Sequence, residues 1–147
     1  MPIDDLLSGE SAIVTLRARE ADEVLGELAL ALAEQTGLSS AKLASGLRER
    51  EALGSTAIGR GLALPHTKAE ITGSRAVLGI AAQGIAFGAP DDRPVRVFVA
   101  LVSSMQPSEH LRALASVSRW FADPSTIDRI SAAERASEVL AILRGEA

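Results

Sequence analysis

Apolar residues near the amino terminus predict a strand followed by a helix. Within the segment Ser11–Arg19, the β-branched residues Ile13 and Val14 are typical of a strand. Farther along, apolar residues return at helical spacing behind a group of acidic side chains that suits the first turn of a helix. These apolar positions are Val24, Leu25, Leu28 and Leu32, and Gly37 is a suitable carboxy-terminal cap.

A second helix is predicted to begin at Ser40, whose hydroxyl suits a helix cap. Leu43 and Leu47 continue its apolar face to about Arg50. The following segment, Glu51–Gly61, is rich in glycine and small polar residues, so we expect a loop there.

Two further apolar stretches predict the centre of a sheet. Ala76–Ala82 and Ile85–Phe87 are interpreted as two short strands on either side of a tight turn at Gln83–Gly84. Val95–Val102 begins with alternation and becomes wholly apolar, which is typical of a strand covered on both faces.

The carboxy-terminal third of the chain predicts two helices. Pro107 and Ser108 open the first, in which His110 shares a face with apolar residues and therefore leans toward the interior. Those residues are Leu114, Val117 and Phe121. The last helix is predicted to begin at Ser131, with Glu134 completing a capping box. Because helices and strands interleave along the whole chain, the predicted class is α/β, with a sheet covered by helices.

Length, charge and composition narrow the function classes. The 147 residues suit one domain, and a net charge of −4 with 3% aromatic residues argues against nucleic-acid binding. No apolar run approaches the length of a membrane span, and the amino terminus lacks the features of a signal peptide, which predicts a cytoplasmic protein. Without cysteine, the chain can hold neither a disulfide nor a cysteine nucleophile.

Familiar cofactor motifs are missing from the sequence. Gly59-Arg60-Gly61 begins like a dinucleotide-binding fingerprint, but the third glycine is absent. Since no phosphate-binding lysine loop or other cofactor motif is present either, we expect no cofactor.

The two histidines are the candidates for chemistry. Pro65 precedes His66 and restricts the backbone, so the imidazole is expected at a stiff strand end, although a surface turn is an alternative. His110 has an alternative role as a core histidine. No third ligand accompanies the pair, so we predict no metal site. Arg50 has its own simple explanation as a cation that opposes the dipole at a helix end.

Three stretches in this order favour a functional role for the histidines and Arg50 over the structural alternatives: "REALGSTAIGRGLALPHTK", "FGAPDDRPVRVFVALV" and "PSEHLRALASVSRWFAD". Together they resemble the enzyme IIA domain of the fructose, mannitol and nitrogen-regulatory branch of the bacterial phosphoenolpyruvate phosphotransferase system. The resemblance covers essentially the whole chain. It implies a single IIA domain over residues 1–147, with a mixed β-sheet flanked by helices, as in mannitol-type IIA proteins.

The resemblance also implies a phosphohistidine relay without a cofactor. His66 matches the family's acceptor of a phosphoryl group from a phosphocarrier protein (HPr type), and Arg50 and His110 match its supporting residues. Thr56 matches a Ser-Thr element and is expected to donate a hydroxyl hydrogen bond. We further expect a backbone carbonyl to hold the δ nitrogen of His66, which leaves the ε nitrogen to attack.

One residue and one segment near the expected site are unusual for the family. Three functions remain open. Thr67 stands where many members have glycine, and Ser103–Gln106 is unusually polar for a link between a buried strand and a helix. A stand-alone chain with Lys68 near its histidine favours a nitrogen-regulatory role with regulatory target proteins. The alternatives are a sugar-specific IIA that passes phosphate to a separate IIB, and a IIA-like binding module that is never phosphorylated.

Overall fold

Strand β6 (Val95–Ser103) lies at the centre of the sheet in the computed structural model, which describes residues 2–146. All but one of its residues are buried, as the apolar run Val97–Val102 predicts. β5 (Ser74–Ile85) pairs with it antiparallel, while β3 (Leu62–Ala63) and β4 (His66–Lys68) pair with it parallel. β1 (Ile13–Thr15) and β2 (Ala57–Gly59) extend the sheet beyond β5 and β3. The sheet is therefore mixed.

Helices cover this sheet. They are α1 (Ile3–Leu6), α2 (Ala21–Thr36), α3 (Ser40–Ala52), α4 (Pro107–Trp120), α5 (Thr126–Ala132) and α6 (Ala136–Leu143). Helix α2 packs on α3 and β5, α3 packs on β4, and α4 and α5 both pack on β5 and β6. None of the helices within residues 2–146 is long and apolar enough to span a membrane.

Several sequence predictions are confirmed. β1 contains Ile13 and Val14, and α2 ends at Gly37, which caps it in the left-handed conformation with φ of 78°. Helix α4 starts at Pro107 and buries His110 together with Val117. The α/β class with a mixed sheet flanked by helices is likewise what the structure has.

The prediction of two short strands around Gln83–Gly84 is wrong, because β5 runs through this dipeptide. The pairing with β6 shifts register between Ile80 and Ile85, and Gly84 has a φ of 81°. A glycine with positive φ inside a strand pattern marks a bulge as well as a turn. Here the chain bends at the glycine and continues beside β6 without reversing.

Two helix starts also differ from the predictions. Ser39, and not Ser40, caps α3, since its hydroxyl oxygen accepts a hydrogen bond from the Lys42 N–H at 3.2 Å. Ser131 lies inside α5 and donates to the carbonyl of Ile127 at 2.8 Å, so it does not cap the last helix. Such back-bonding to the preceding turn is the other common use of a helical serine.

The predicted loop Glu51–Gly61 contains strand β2 and the turn of a hairpin. Gly59 pairs with Leu62, and the two residues between them, Arg60 and Gly61, have φ of 57° and 87°. Positive φ at both central residues is what a tight two-residue hairpin turn requires. The Gly-Arg-Gly element therefore forms a hairpin turn and is not a nucleotide-binding loop.

Candidate active site

His66 opens strand β4, and hydrogen bonds fix the backbone just before it. The Leu64 N–H donates to the Thr56 carbonyl at 3.0 Å, and the Leu101 N–H donates to the Pro65 carbonyl at 2.9 Å. Pro65 adds its fixed φ to this restraint. The half-buried imidazole therefore extends from a stiff strand start, as the sequence predicted.

A backbone carbonyl holds one nitrogen of the His66 ring. Nδ1 lies 2.7 Å from the carbonyl oxygen of Leu64, which can only accept, so Nδ1 carries the proton. In the neutral ring, Nε2 then keeps its lone pair. The predicted carbonyl partner is confirmed, and Nε2 is left as the ring's nucleophilic atom.

His110 lies next to His66, although the two residues are far apart in the sequence. Their ring centroids are 5.2 Å apart and the ring planes are inclined by 49°. His110 comes from the first turns of α4 and is only 8% exposed. Its Nδ1 lies 2.6 Å from the hydroxyl oxygen of Ser103, the last residue of β6.

Arg50, in the last turn of α3, is the third predicted site residue that lies near His66. Its Nη1 donates to the Gly54 carbonyl at 2.9 Å, which ties the guanidinium to the loop after the helix. Arg50, His66 and His110 line one open depression of about 380 Å³, together with Lys68. Three of the four site residues predicted from the sequence therefore meet around one space, which also holds the two cations Arg50 and Lys68.

Thr56, the fourth predicted site residue, is hydrogen-bonded to Glu51. Its hydroxyl donates to Glu51 Oε1 at 2.6 Å, and its backbone N–H donates to Glu51 Oε2 at 2.9 Å. Because a hydroxyl has one hydrogen to donate, Thr56 has none left for a ligand in this arrangement. The structure thus differs from the expectation of a direct donor, and makes Thr56 the group that anchors Glu51.

Glu51 is a residue of the site that the sequence reasoning missed. Its carboxylate receives both bonds from Thr56 and contributes to the field at His66, whose pKa it acts to raise. The only sequence signal was its place beside Arg50 in the Arg-Glu element, since its partner Thr56 could not be deduced from spacing. Glu51 thus joins the end of α3 to the segment that leads to His66.

The environment favours the neutral form of both histidines. Burial is the main reason that the pKa of His66 lies below its usual 6.5, and the nearby Arg50 acts in the same direction, while the Leu64 carbonyl opposes them. The pKa of His110 is also lowered, chiefly by burial and then by the charges of His66 and Lys68. Two neutral imidazoles beside two cations form an arrangement that suits an incoming anion.

We expect both histidines to titrate below pH 6.5, the usual value for histidine. A free histidine is half protonated at pH 6.5, whereas His66 should still be mostly neutral there and keep its nucleophilic lone pair. A pH titration of the two ring Cε1–H resonances by NMR checks this. A midpoint at or above 6.5 for His66 would contradict the environment described.

Thr67, one of the two departures from the family pattern, packs against α3 at Gly46. A methyl group added at Gly46 would collide with Thr67 Oγ1 and would lie 3.1 Å from its Cβ. Gly46 lies one helical turn before Arg50, and Thr67 directly follows His66. The close approach of glycine and threonine therefore helps to set how near Arg50 lies to His66.

Replacing Gly46 by alanine should destabilise the protein, although alanine is the better helix former. Overpacking costs about 1–3 kcal/mol, against about 1 kcal/mol gained from helix propensity, so we expect a net loss of about 1 kcal/mol. In a Thr67→Gly background the collision is gone, and the same change should raise the free energy of unfolding by about 1 kcal/mol. Urea unfolding of the four proteins measures both effects. Equal effects in the two backgrounds would show that the contact is unimportant.

A larger depression, of about 560 Å³, lies elsewhere, beside the ends of β1 and β5. Arg17 and Arg19 line it, but neither histidine does. Within residues 2–146, no three side chains of the histidine, cysteine, aspartate or glutamate type are grouped to hold a metal ion. The depression around His66 is thus the one of the two that brings histidines and cations together.

Comparisons with known proteins agree on one family. A family model described as "Phosphoenolpyruvate-dependent sugar phosphotransferase system, EIIA 2" matches residues 5–145. A nitrogen regulatory protein of Bradyrhizobium diazoefficiens is 33% identical over an alignment of 147 positions, which covers 97% of this chain and 95% of that protein.

Solved structures agree with the sequence match. The nitrogen regulatory protein IIA-Ntr of Neisseria meningitidis superposes with a TM-score of 0.87 at 29% identity, covering 96% of this chain and 98% of that one. The mannitol enzyme IIA of Escherichia coli, solved in complex with phosphorylated enzyme IIB, gives 0.82 at 23% identity over 95% of this chain and 99% of that one, which shows the same fold.

Proposed function

Because the chain belongs to the EIIA 2 family of the phosphoenolpyruvate-dependent sugar phosphotransferase system, we propose that it is a phosphohistidine-relay protein that accepts a phosphoryl group on His66. The donor is a phosphocarrier protein phosphorylated on its own histidine. The single observation that carries the proposal is the bond between His66 Nδ1 and the Leu64 carbonyl, because it leaves Nε2 with a lone pair beside the depression. We further propose that the chain acts as one IIA unit.

Transfer requires one bond to form and one to break. The Nε2 lone pair attacks phosphorus, and the bond between phosphorus and the carrier's nitrogen breaks, returning its electron pair to the carrier. The His66 ring then carries positive charge, because Nδ1 keeps its proton. The Leu64 carbonyl stabilises that charge through a charge-assisted hydrogen bond, as it already acts to raise the pKa of His66.

The surrounding cations stabilise the phosphoryl oxygens. Phosphoryl transfer depends mainly on positioning and electrostatic stabilisation, because the charge spreads over three equatorial oxygens. Arg50 already uses one guanidinium nitrogen on Gly54, so its remaining N–H groups are the ones for the phosphoryl group. Lys68, exposed on the same strand as His66, adds a second positive charge.

The surroundings of His66 suit a protein partner. Leu53 lines the depression of His66 and is 85% exposed, and Ile58 lines an adjoining one and is 49% exposed. Large exposed apolar side chains beside a reactive group are typical of surfaces that dock another protein. This supports delivery of the phosphoryl group by a carrier protein and not by a free small molecule.

Of the downstream roles, the nitrogen-regulatory one has the better support. A nitrogen regulatory protein matches 97% of this chain at 33% identity, and IIA-Ntr superposes on it with a TM-score of 0.87. In that role, the phosphorylation state of His66 would govern binding to regulatory target proteins. Transfer to a separate IIB in fructose- or mannitol-type uptake is the second candidate, and the mannitol enzyme IIA solved with phosphorylated IIB favours it.

Incubation with phosphoenolpyruvate, enzyme I and the phosphocarrier protein tests the proposal. The chain should acquire one phosphoryl group in an acid-labile, alkali-stable linkage, as expected of phosphohistidine. Adding a IIB protein then separates the two downstream roles, because only a sugar-specific IIA should lose its label rapidly to the IIB cysteine. A chain that stays unlabelled would be the IIA-like binding module that is never phosphorylated.

A further inference from the structure

The sheet places a buried hydroxyl on the same face as His66. In β4 and β6, His66 is paired with Leu101, and Lys68 with Ser103; in β5 and β6, Ser74 is paired with Ser103. Paired residues of neighbouring strands point to the same face, and so do residues two apart in one strand. Ser103 and Ser74 therefore occupy the row next to His66, on the face where α4 brings in His110.

The contact between Ser103 and His110 is shielded from water. Ser103 is 0% exposed and His110 is 8% exposed, with 2.6 Å between the hydroxyl oxygen and Nδ1. A hydroxyl can donate to an unprotonated Nδ1 or accept from a protonated one, so the contact alone allows two ring tautomers. The two tautomers differ at Nε2, which carries a proton in the first and a lone pair in the second.

The hydrogen bonds around Ser103 favour the first tautomer. If His110 Nδ1 were the donor, the hydroxyl hydrogen of Ser103 would be buried without an acceptor among the described residues, since His110 is the hydroxyl's one partner there. If Ser103 donates instead, both atoms of the contact are satisfied. The remaining N–H of His110 then belongs to the depression that His66 lines, where an incoming anion can accept it.

We propose that Ser103 is a positioning residue that donates its hydroxyl hydrogen bond to Nδ1 of His110 and thereby keeps Nε2 of His110 protonated toward a phosphoryl group on His66. This inference rests on the proposed function for its consequence in transfer. A lone pair in place of that N–H would repel the phosphoryl oxygens. Ser103, the polar residue that follows the apolar run Val97–Val102, thus has a use in the site.

The tautomer of His110 is measured in the unphosphorylated protein by long-range ¹H–¹⁵N NMR. We expect protonated Nε2 in the wild type and, in Ser103→Ala, a substantial population with protonated Nδ1. Formation of phospho-His66 should slow about threefold to tenfold, the size expected for one hydrogen bond that is no longer well aligned. Ser103→Thr keeps a hydroxyl and should restore both the tautomer and the rate.

Ser74→Ala is the matched control, because Ser74 lies across the strand pair from Ser103 and its buried hydroxyl has no partner among the described residues. It should change neither the tautomer nor the rate. Protonated Nδ1 in wild-type His110, or a Ser103→Ala protein that matches Ser74→Ala in spectrum and rate, would overturn the proposal. Failure of the proposed function would differ, since wild-type His66 would then take no phosphoryl group whatever the tautomer of His110.

Discussion

His66→Ala should incorporate no detectable phosphoryl group from phosphoenolpyruvate in the presence of enzyme I and the phosphocarrier protein. The change removes the Nε2 lone pair, and His110 cannot replace it because its Nδ1 is occupied by Ser103 and its Nε2 carries the proton in the proposed tautomer. His66 is only half-buried, so alanine leaves no large cavity in the core. Acid-labile label per chain, measured beside thermal unfolding, checks both expectations.

His110→Ala is the matched control for that experiment. It removes the other histidine of the pair but not the nucleophile, so label should still appear, more slowly or with a shorter lifetime. If His66→Ala retained label while His110→Ala lost it, the roles of the two histidines would be reversed. A His110→Ala protein with wild-type rates and a much lower melting temperature would make His110 a core residue.

Arg50→Lys should slow phosphoryl transfer by roughly tenfold or more, because a hydrogen bond to a charged group contributes about 1.5–3 kcal/mol. Lysine keeps the positive charge but loses the planar fork. In this site the fork serves two partners, since one nitrogen holds the Gly54 carbonyl while the others remain for phosphoryl oxygens. Single-turnover transfer from the labelled phosphocarrier measures the rate.

Arg48→Lys controls for the loss of an arginine from the same helix. Arg48 pairs with Asp22 at 2.8 Å, with both side chains largely exposed, and it does not line the depression of His66. An exposed ion pair contributes little, so this variant should keep the wild-type rate. Equal rates for Arg50→Lys, Arg48→Lys and the wild type would return Arg50 to the role of a cation at a helix end.

The parts of the fold that the sequence predicted correctly are those whose signals are local and strong. Apolar residues on both faces marked β6 as a covered strand, and periodicity with a terminal glycine marked α2. The bulge in β5 was misread because Gly84 gives the same local signal in a turn and in a bent strand. Only its pairing with β6 decides between them, and that pairing is tertiary.

In the candidate site, too, the sequence predicted what depends on local signals and missed what depends on tertiary contacts. The stiff setting of His66 followed from Pro65, whereas the approach of Arg50 and His110 was implied by a family resemblance and not by spacing. The roles of Glu51 and Ser103 depend on contacts between elements, which local patterns do not encode. The polarity of Ser103–Gln106 was visible in the sequence, but its reason needed the register of β6 and the position of α4.

The most direct test is to locate the phosphoryl group on the labelled protein by ¹⁵N–³¹P correlation NMR with ¹⁵N-labelled histidine. If the proposed mechanism is correct, phosphorus couples to Nε2 of His66, with Nδ1 of the same ring still protonated and bonded to the Leu64 carbonyl. A phosphoryl group on Nδ1 of His66, on His110, or on a residue other than histidine would contradict it.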